Sequence, residues 1–224
     1  MAVVTTPARV GDTSPATATS SAGSPALALS SGEVPTPAKV LPDRTRALGT
    51  LLFMAADAMA LGTVIAAYFA VRSGSSFWPH RGVDVGTYIP TVVSITAFLA
   101  LFSAQWAVTS TRANDQRNAV YALGLTVFFG VAMATAELQA LRTAEFGIGD
   151  HAYGAFYFLF LGYSIAHLVA GIPLLVMLAG RSLAGHFSAE QHDPLRAGVL
   201  YWHYAMTVWF VVATVLFVLT PVHG

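Results

Sequence analysis

The 224 residues include no cysteine. That absence excludes disulfides, thiolate nucleophiles, zinc–thiolate sites and cysteine-held iron–sulfur clusters within this chain. Charge is also scarce, at 10% of residues, against about a quarter in a soluble domain. The 11 basic and 11 acidic side chains cancel, and no basic tract gathers on any segment, so nucleic acid is not an expected partner. The sequence also lacks a Gly-x-Ser-x-Gly elbow, a phosphate loop, a His-Glu-x-x-His pair and a carboxylate pair at helical spacing in its apolar stretches. No catalytic constellation of its own is therefore legible.

What is present is apolar surface. Hydrophobic residues make up 55% of the chain, and they are unevenly placed. Residues 1–44 are built from Ala, Ser, Thr, Pro and Gly, contain no aromatic ring and follow no helical or alternating period. Such a segment cannot bury enough apolar surface to offset its ordering entropy, and it reads as a disordered tail. Its apolar runs are too short and too broken by Ser and Pro for a signal peptide, and the lone Arg9 before Lys39 argues against a transit peptide.

Residues 45–224 form the second part. Five apolar stretches follow one another, at about 47–71, 88–108, 118–141, 152–178 and 199–219. Each is long enough to cross about 30 Å of hydrocarbon at about 1.5 Å per residue, and each is about twice the length of an ordinary soluble helix. The expected fold is all-α: an integral membrane protein with a five-helix transmembrane bundle behind a disordered amino-terminal tail. Lys39, Arg44, Arg46, Arg112, Arg117, Arg181 and Arg196 flank one side, against Arg72, Arg81 and Arg142 on the other. The positive-inside rule then places the amino terminus in the cytoplasm and the carboxyl terminus outside. Small residues repeat every four in the first helix (Ala58, Gly62, Ala66, Ala70), the third (Ala132, Ala136, Ala140) and the fourth (Gly162, Ala166, Ala170). Such stripes are expected where helices approach closely.

Ionisable residues inside the spans carry the functional signal, since one at the bilayer centre is costly unless it is paired or faces a cavity. There are four: Asp57, Glu137, His167 and His203. Counted from the cytoplasmic ends, Asp57 lies about 15 Å deep and His167 about 17 Å, so the two are able to meet near the midplane. They read either as a hydrogen-bonded packing pair or as a proton-accessible or lipid head-group site. Glu137, four residues from the outer end of its span, reads as a solvated carboxylate or a further candidate of that kind. His203 lies only about 6 Å deep, about 11 Å from the level of His167, which leaves no easy bis-histidine haem. With Tyr201, Trp202 and, at the opposite face, Trp78, it reads as an interfacial anchor or subunit contact.

Taken in order, the motifs resemble subunit III of the haem–copper cytochrome c oxidases, in a short bacterial form of five helices. They are "LLFMAADAMALGTVIAAYF", "FWP", "ATAELQAL", "AYGAFYFLFLGYSIAHLVAGIPLL" and "YWHYAMTVWFVVATVLFV". The resemblance implies a subunit of a respiratory terminal oxidase in the bacterial plasma membrane, working in aerobic electron transport. It would bind no cofactor, with haem and copper in partner subunits. It would pack on catalytic subunit I with subunit II nearby, bind phospholipid, support proton uptake and stabilise the catalytic subunit. Asp57 falls where the family usually has a membrane-embedded glutamate, Glu137 where it has a glutamate at a helix end, and His167 and His203 where it has histidines. The chain departs from the pattern in the shortened Asp57, in Met206 where an acid commonly follows Tyr-Trp-His, and in Ser164 where a histidine often precedes His167. An aspartate in the first helix also resembles the accessory proteins of nitric oxide reductase. From the residues alone a small proton-coupled transporter or channel using Asp57 and His167 is the contrasting reading. It lacks the internal repeat such folds show, and its one well-embedded proline, Pro173, lies toward an inner end.

This topology fixes what reporter fusions must show. Fusions after Arg112 and Arg181 are expected to read as cytoplasmic and one after Arg142 as external; the reverse pattern would overturn the orientation.

Overall fold

The computed structural model describes residues 43–79, 83 and 85–219, with side chains from residue 48 onward. The tail reading for residues 1–42, Arg9, Lys39, His80 and Arg81, and the side chains of Arg44 and Arg46, lie outside the described residues. Every regular element among those residues is helical: α1 (Asp43–Ser73), α2 (Tyr88–Arg112), α3 (Gln116–Thr143), α4 (Ala152–Leu183) and α5 (Asp193–Ala213), which runs on into a π-helical turn, Thr214–Val218. All five are long and apolar enough to cross a membrane. The protein is a multi-pass, all-α membrane protein.

The helices extend past the apolar runs because polar end turns belong to them as well. Asp43 and Arg44, compositionally part of the tail, open α1. α5 begins at Asp193, with Pro194 in its first turn and Arg196 3.9 Å from Asp193. Sharp stops shape the ends shared by α2 and α4. Asn114 takes φ 56° and Gly185 φ 73°. Around them Asp115 N–H reaches the Ser110 carbonyl at 2.9 Å and His186 N–H the Arg181 carbonyl at 3.0 Å, the bond pattern of a left-handed helix cap. Asp115 then caps α3, accepting from the Asn118 amide at 3.1 Å. The α2–α3 connection is therefore a tight antiparallel hairpin.

The core is a four-helix bundle, α2 to α5, centred on Trp202. Its six-membered ring lies between Gly130 of α3 and Gly171 of α4. A Cβ added at Gly130 would stand 2.6 Å from Cη2, and one at Gly171 would stand 3.0 Å from Cε3 and Cζ3. Here lies the close approach that small residues permit. The repeating stripes expected from the sequence are a correction for α1 and α4: Ala58, Gly62, Ala66, Ala70, Gly162, Ala166 and Ala170 are all exposed. Trp202 corrects the interfacial expectation too, being fully buried. Successive helical residues turn by about 100°, so Tyr-Trp-His-Tyr points four ways, and α5 starts six residues earlier than its apolar run. Trp78 is likewise buried rather than interfacial: its Nε1 donates to the Tyr68 hydroxyl at 2.8 Å, within a ring cluster that includes Tyr153.

α1 stands apart. Only 6% of its apolar window is covered by the rest of the chain, against 56% for α5. Leu61 and Tyr68 are its buried apolar contacts.

Because both glycines face a rigid indole, Gly130→Ala and Gly171→Ala are each expected to cost about 1–3 kcal/mol, read as a lowered Tm in detergent. Gly198→Ala should be much milder. There the added methyl meets the end of a flexible side chain, Leu178 Cδ1. Equal losses at all three positions would contradict the wedge.

Candidate functional site

Asp57 of α1 meets His167 of α4 and Tyr204 of α5. Its Oδ2 lies 3.0 Å from His167 Nε2 and accepts from the Tyr204 hydroxyl at 2.5 Å. Tyr163, one turn before His167, donates its hydroxyl to the Asp57 main-chain carbonyl at 3.1 Å. His167 Nδ1 is 2.9 Å from the Tyr163 carbonyl. The imidazole packs against the rings of Tyr163, Tyr201 and Tyr204 at centroid separations of 4.7, 6.4 and 5.9 Å. Three helices thus converge on one carboxylate.

Nδ1 and Nε2 of His167 therefore each face an oxygen, the Tyr163 carbonyl and Asp57 Oδ2. The side chains are only 8% and 17% exposed, so water screens this interaction little.

Both ring nitrogens of His167 are engaged, and His203 Nδ1 lies 2.7 Å from the Val199 carbonyl. Among the described residues no three His, Cys, Asp or Glu side chains gather as a ligand set. His203 stands ten residues into α5 and His167 sixteen from the end of α4, so their levels differ by about 9 Å. His203 is half-buried rather than at the helix end.

Glu137 departs from the solvated reading. It is fully buried, six residues inside the end of α3, and its Oε1 accepts from the Ser164 hydroxyl of α4 at 3.2 Å. Two further hydroxyl contacts bind the bundle: Ser103 with Thr126 at 2.8 Å, and the Trp209 indole donating to Ser94 at 3.1 Å. Tyr163 and Tyr204, which complete the Asp57 site, were not singled out from the sequence. The available signal was position: Tyr163 precedes His167 by one turn, and Tyr204 follows Tyr201 by three residues.

The model of the family described as cytochrome c oxidase subunit III matches residues 41–220, nearly the whole described chain. The chain belongs to the cytochrome c oxidase subunit III family. Its relatives include cytochrome c oxidase subunit 3 of Thermostichus vulcanus, 24% identical over 78% of this chain and 88% of that protein. The Synechocystis protein of the same name is 25% identical, over 78% of this chain and 76% of its own. The Arabidopsis thaliana protein is 28% identical, over 72% of this chain and 63% of its own. Subunit III membership and the five helices agree on a multi-pass membrane subunit, and the Asp57 site joins α1 to α4 and α5.

If Asp57 and His167 act as one unit, Asp57→Asn and His167→Gln should each lower stability by about 1–3 kcal/mol, and the double mutant should be no worse than either single. Thermal unfolding of the detergent-solubilised protein reads this. Simple additivity would show that the two are not coupled.

Proposed function

We propose that this chain is the non-catalytic subunit III of a respiratory haem–copper terminal oxidase in a bacterial plasma membrane, with its amino terminus in the cytoplasm and its carboxyl terminus outside. The family match over residues 41–220 carries the reading. The site chemistry supports it: Asp57 and His167 are saturated by one another and by tyrosines, an arrangement suited to holding a proton and a helix in place and not to ligating a redox metal. Haem and copper then belong to the catalytic partner, subunit I, and to subunit II.

Within such a complex the chain would stabilise subunit I, bind phospholipid and support proton uptake. Its outer surface fits this role. Leu51, Leu52, Phe53 and Met59 of α1 and Phe98 and Phe102 of α2 are all exposed, an apolar surface for lipid chains or neighbouring helices. Asp57, His167 and Glu137 are the candidate proton or lipid-site residues. Tyr201 and His203, half-buried along α5, are the remaining candidates for subunit contact, whereas Trp78 and Trp202 act inside the chain.

An affinity pull-down of the tagged chain from gently solubilised membranes tests the assignment, read by optical haem spectrum and by mass spectrometry. A haem–copper catalytic subunit with its copper-binding partner is the expected companion. A nitric oxide reductase subunit in its place would select the accessory role suggested by the aspartate at position 57. A colourless protein without a partner would overturn the oxidase reading in favour of a small proton-coupled transporter or channel.

A further inference from the structure

A second buried acid lies outside the Asp57 site. Glu137 is 0% exposed, and while Oε1 pairs with Ser164, Oε2 has no hydrogen-bond partner among the described residues. An unpaired buried oxygen is costly. The usual remedy is an internal water held by two to four polar groups, about one such water occurring per 27 residues in globular proteins. Glu137 has a nearby source. At the ends of α2, α3 and α4 a cleft of about 400 Å³ is lined by Ile89, Pro90, Ala140, Glu145 and Tyr157 among others. Ala140 follows Glu137 by three residues on the same buried face of α3, about 4.5 Å along the axis. Tyr157 precedes Ser164 by seven residues on α4, two turns toward the same cleft. One turn of α3 and two turns of α4 therefore separate the cleft floor from the carboxyl group. The side chains lying across this stretch are the Ala140 methyl on α3 and buried Leu161 on α4, and the Glu145 carboxylate at the rim is exposed.

We propose that this cleft is the aqueous entrance to an internal water site on Glu137 Oε2. Water, and hydronium with it, passes the Ala140 methyl when the turn breathes, and Glu137 exchanges protons with the aqueous phase at the α3–α4 end of the bundle. It is thereby a titratable centre with its own entrance, distinct from the Asp57–His167 pair. The two acids, one at the rim and one below the floor, favour cationic over anionic visitors. The proposal rests on the bundle geometry alone. It holds whether the catalytic partner is an oxidase or another enzyme.

The absence of native cysteine makes single-cysteine accessibility unambiguous. The complex, purified in detergent, is treated with a small cationic methanethiosulfonate. Ala140→Cys and Glu137→Cys are expected to react. Met133→Cys, about one turn deeper on the same face and 0% exposed, is expected not to react. Adding Ala140→Leu to the Glu137→Cys chain should slow its modification at least about tenfold, the signature of a gate at that turn. Reaction at Ala140→Cys alone would show that the cleft ends at its floor and would overturn the proposal. So would equal reaction at Met133→Cys, which would mean general loosening of the bundle, or an Ala140→Leu chain as reactive as its parent. Should Glu137→Cys fail to assemble, Ser164→Cys reads the same position from α4, with the same outcomes deciding.

Discussion

A carboxyl group in the middle of a hydrocarbon layer has to be met by other helices, and that requirement fixes the position of α1. Apolar packing adds little: α1 buries 6% of its apolar window, and lipid competes with neighbouring helices for apolar contact almost on equal terms. Polar bonds hold it at three heights. Near the middle, Asp57 binds His167 and Tyr204. Further along, the Tyr68 hydroxyl accepts from Trp78. At the far end, the Arg72 guanidinium donates to the Leu219 carbonyl at 2.6 Å. That carbonyl follows the π turn Thr214–Val218, where the ordinary helical bonding of α5 ends. A helix end that would otherwise present unpaired carbonyls is satisfied from the neighbouring helix.

The other four helices solve the packing problem differently. The Trp202 ring takes the space left by two absent side chains, Gly130 and Gly171. Dispersion contact with that ring then links α3, α4 and α5 without a drive from water. Hydroxyl pairs such as Ser103–Thr126 and Ser94–Trp209 add bonds worth about 0.6 kcal/mol each in such settings. The bundle is thus rigid where shape complementarity is high, and α1 is attached to it by directional bonds.

Helix number and membrane character were legible from apolar length, because about 20 residues are needed to cross a bilayer whatever their identity. The meeting of Asp57 with His167 was legible because both counted to similar depth from opposite chain directions. Glu137 was not. Its distance from a helix end measures depth, whereas its burial depends on rotation about the axis, and α3 turns it toward Ser164. Trp202 was misread for a related reason. Interfacial aromatics are recognised by height, and the start of α5 at Asp193 instead of at its first apolar run moves the whole Tyr201–Tyr204 segment deeper. The small-residue stripes of α1 and α4 face away from the rest of the chain for the same reason. A four-residue spacing marks a smooth ridge without saying which way it faces, and the glycines that matter, Gly130 and Gly171, are recognised only by the ring that fills them.

These two modes of attachment explain why α1 should carry an acid at all. Replacing a buried ion pair with well-packed apolar residues is often neutral or stabilising, so stability alone is a poor reason for Asp57. Register is a better one. A smooth apolar helix in lipid can slide or rotate at little cost, since one set of methyl contacts replaces another. Asp57 forbids this: a one-turn slip of about 5.4 Å would leave a carboxyl group, an imidazole and a phenol unpaired in hydrocarbon. The contact itself sharpens the constraint, because Oδ2 and Nε2 meet at one height and one rotation only. A loosely packed helix thereby acquires a single position relative to the bundle. In a subunit whose proposed task is to present a defined surface to a catalytic partner, that single position is the property the pair supplies.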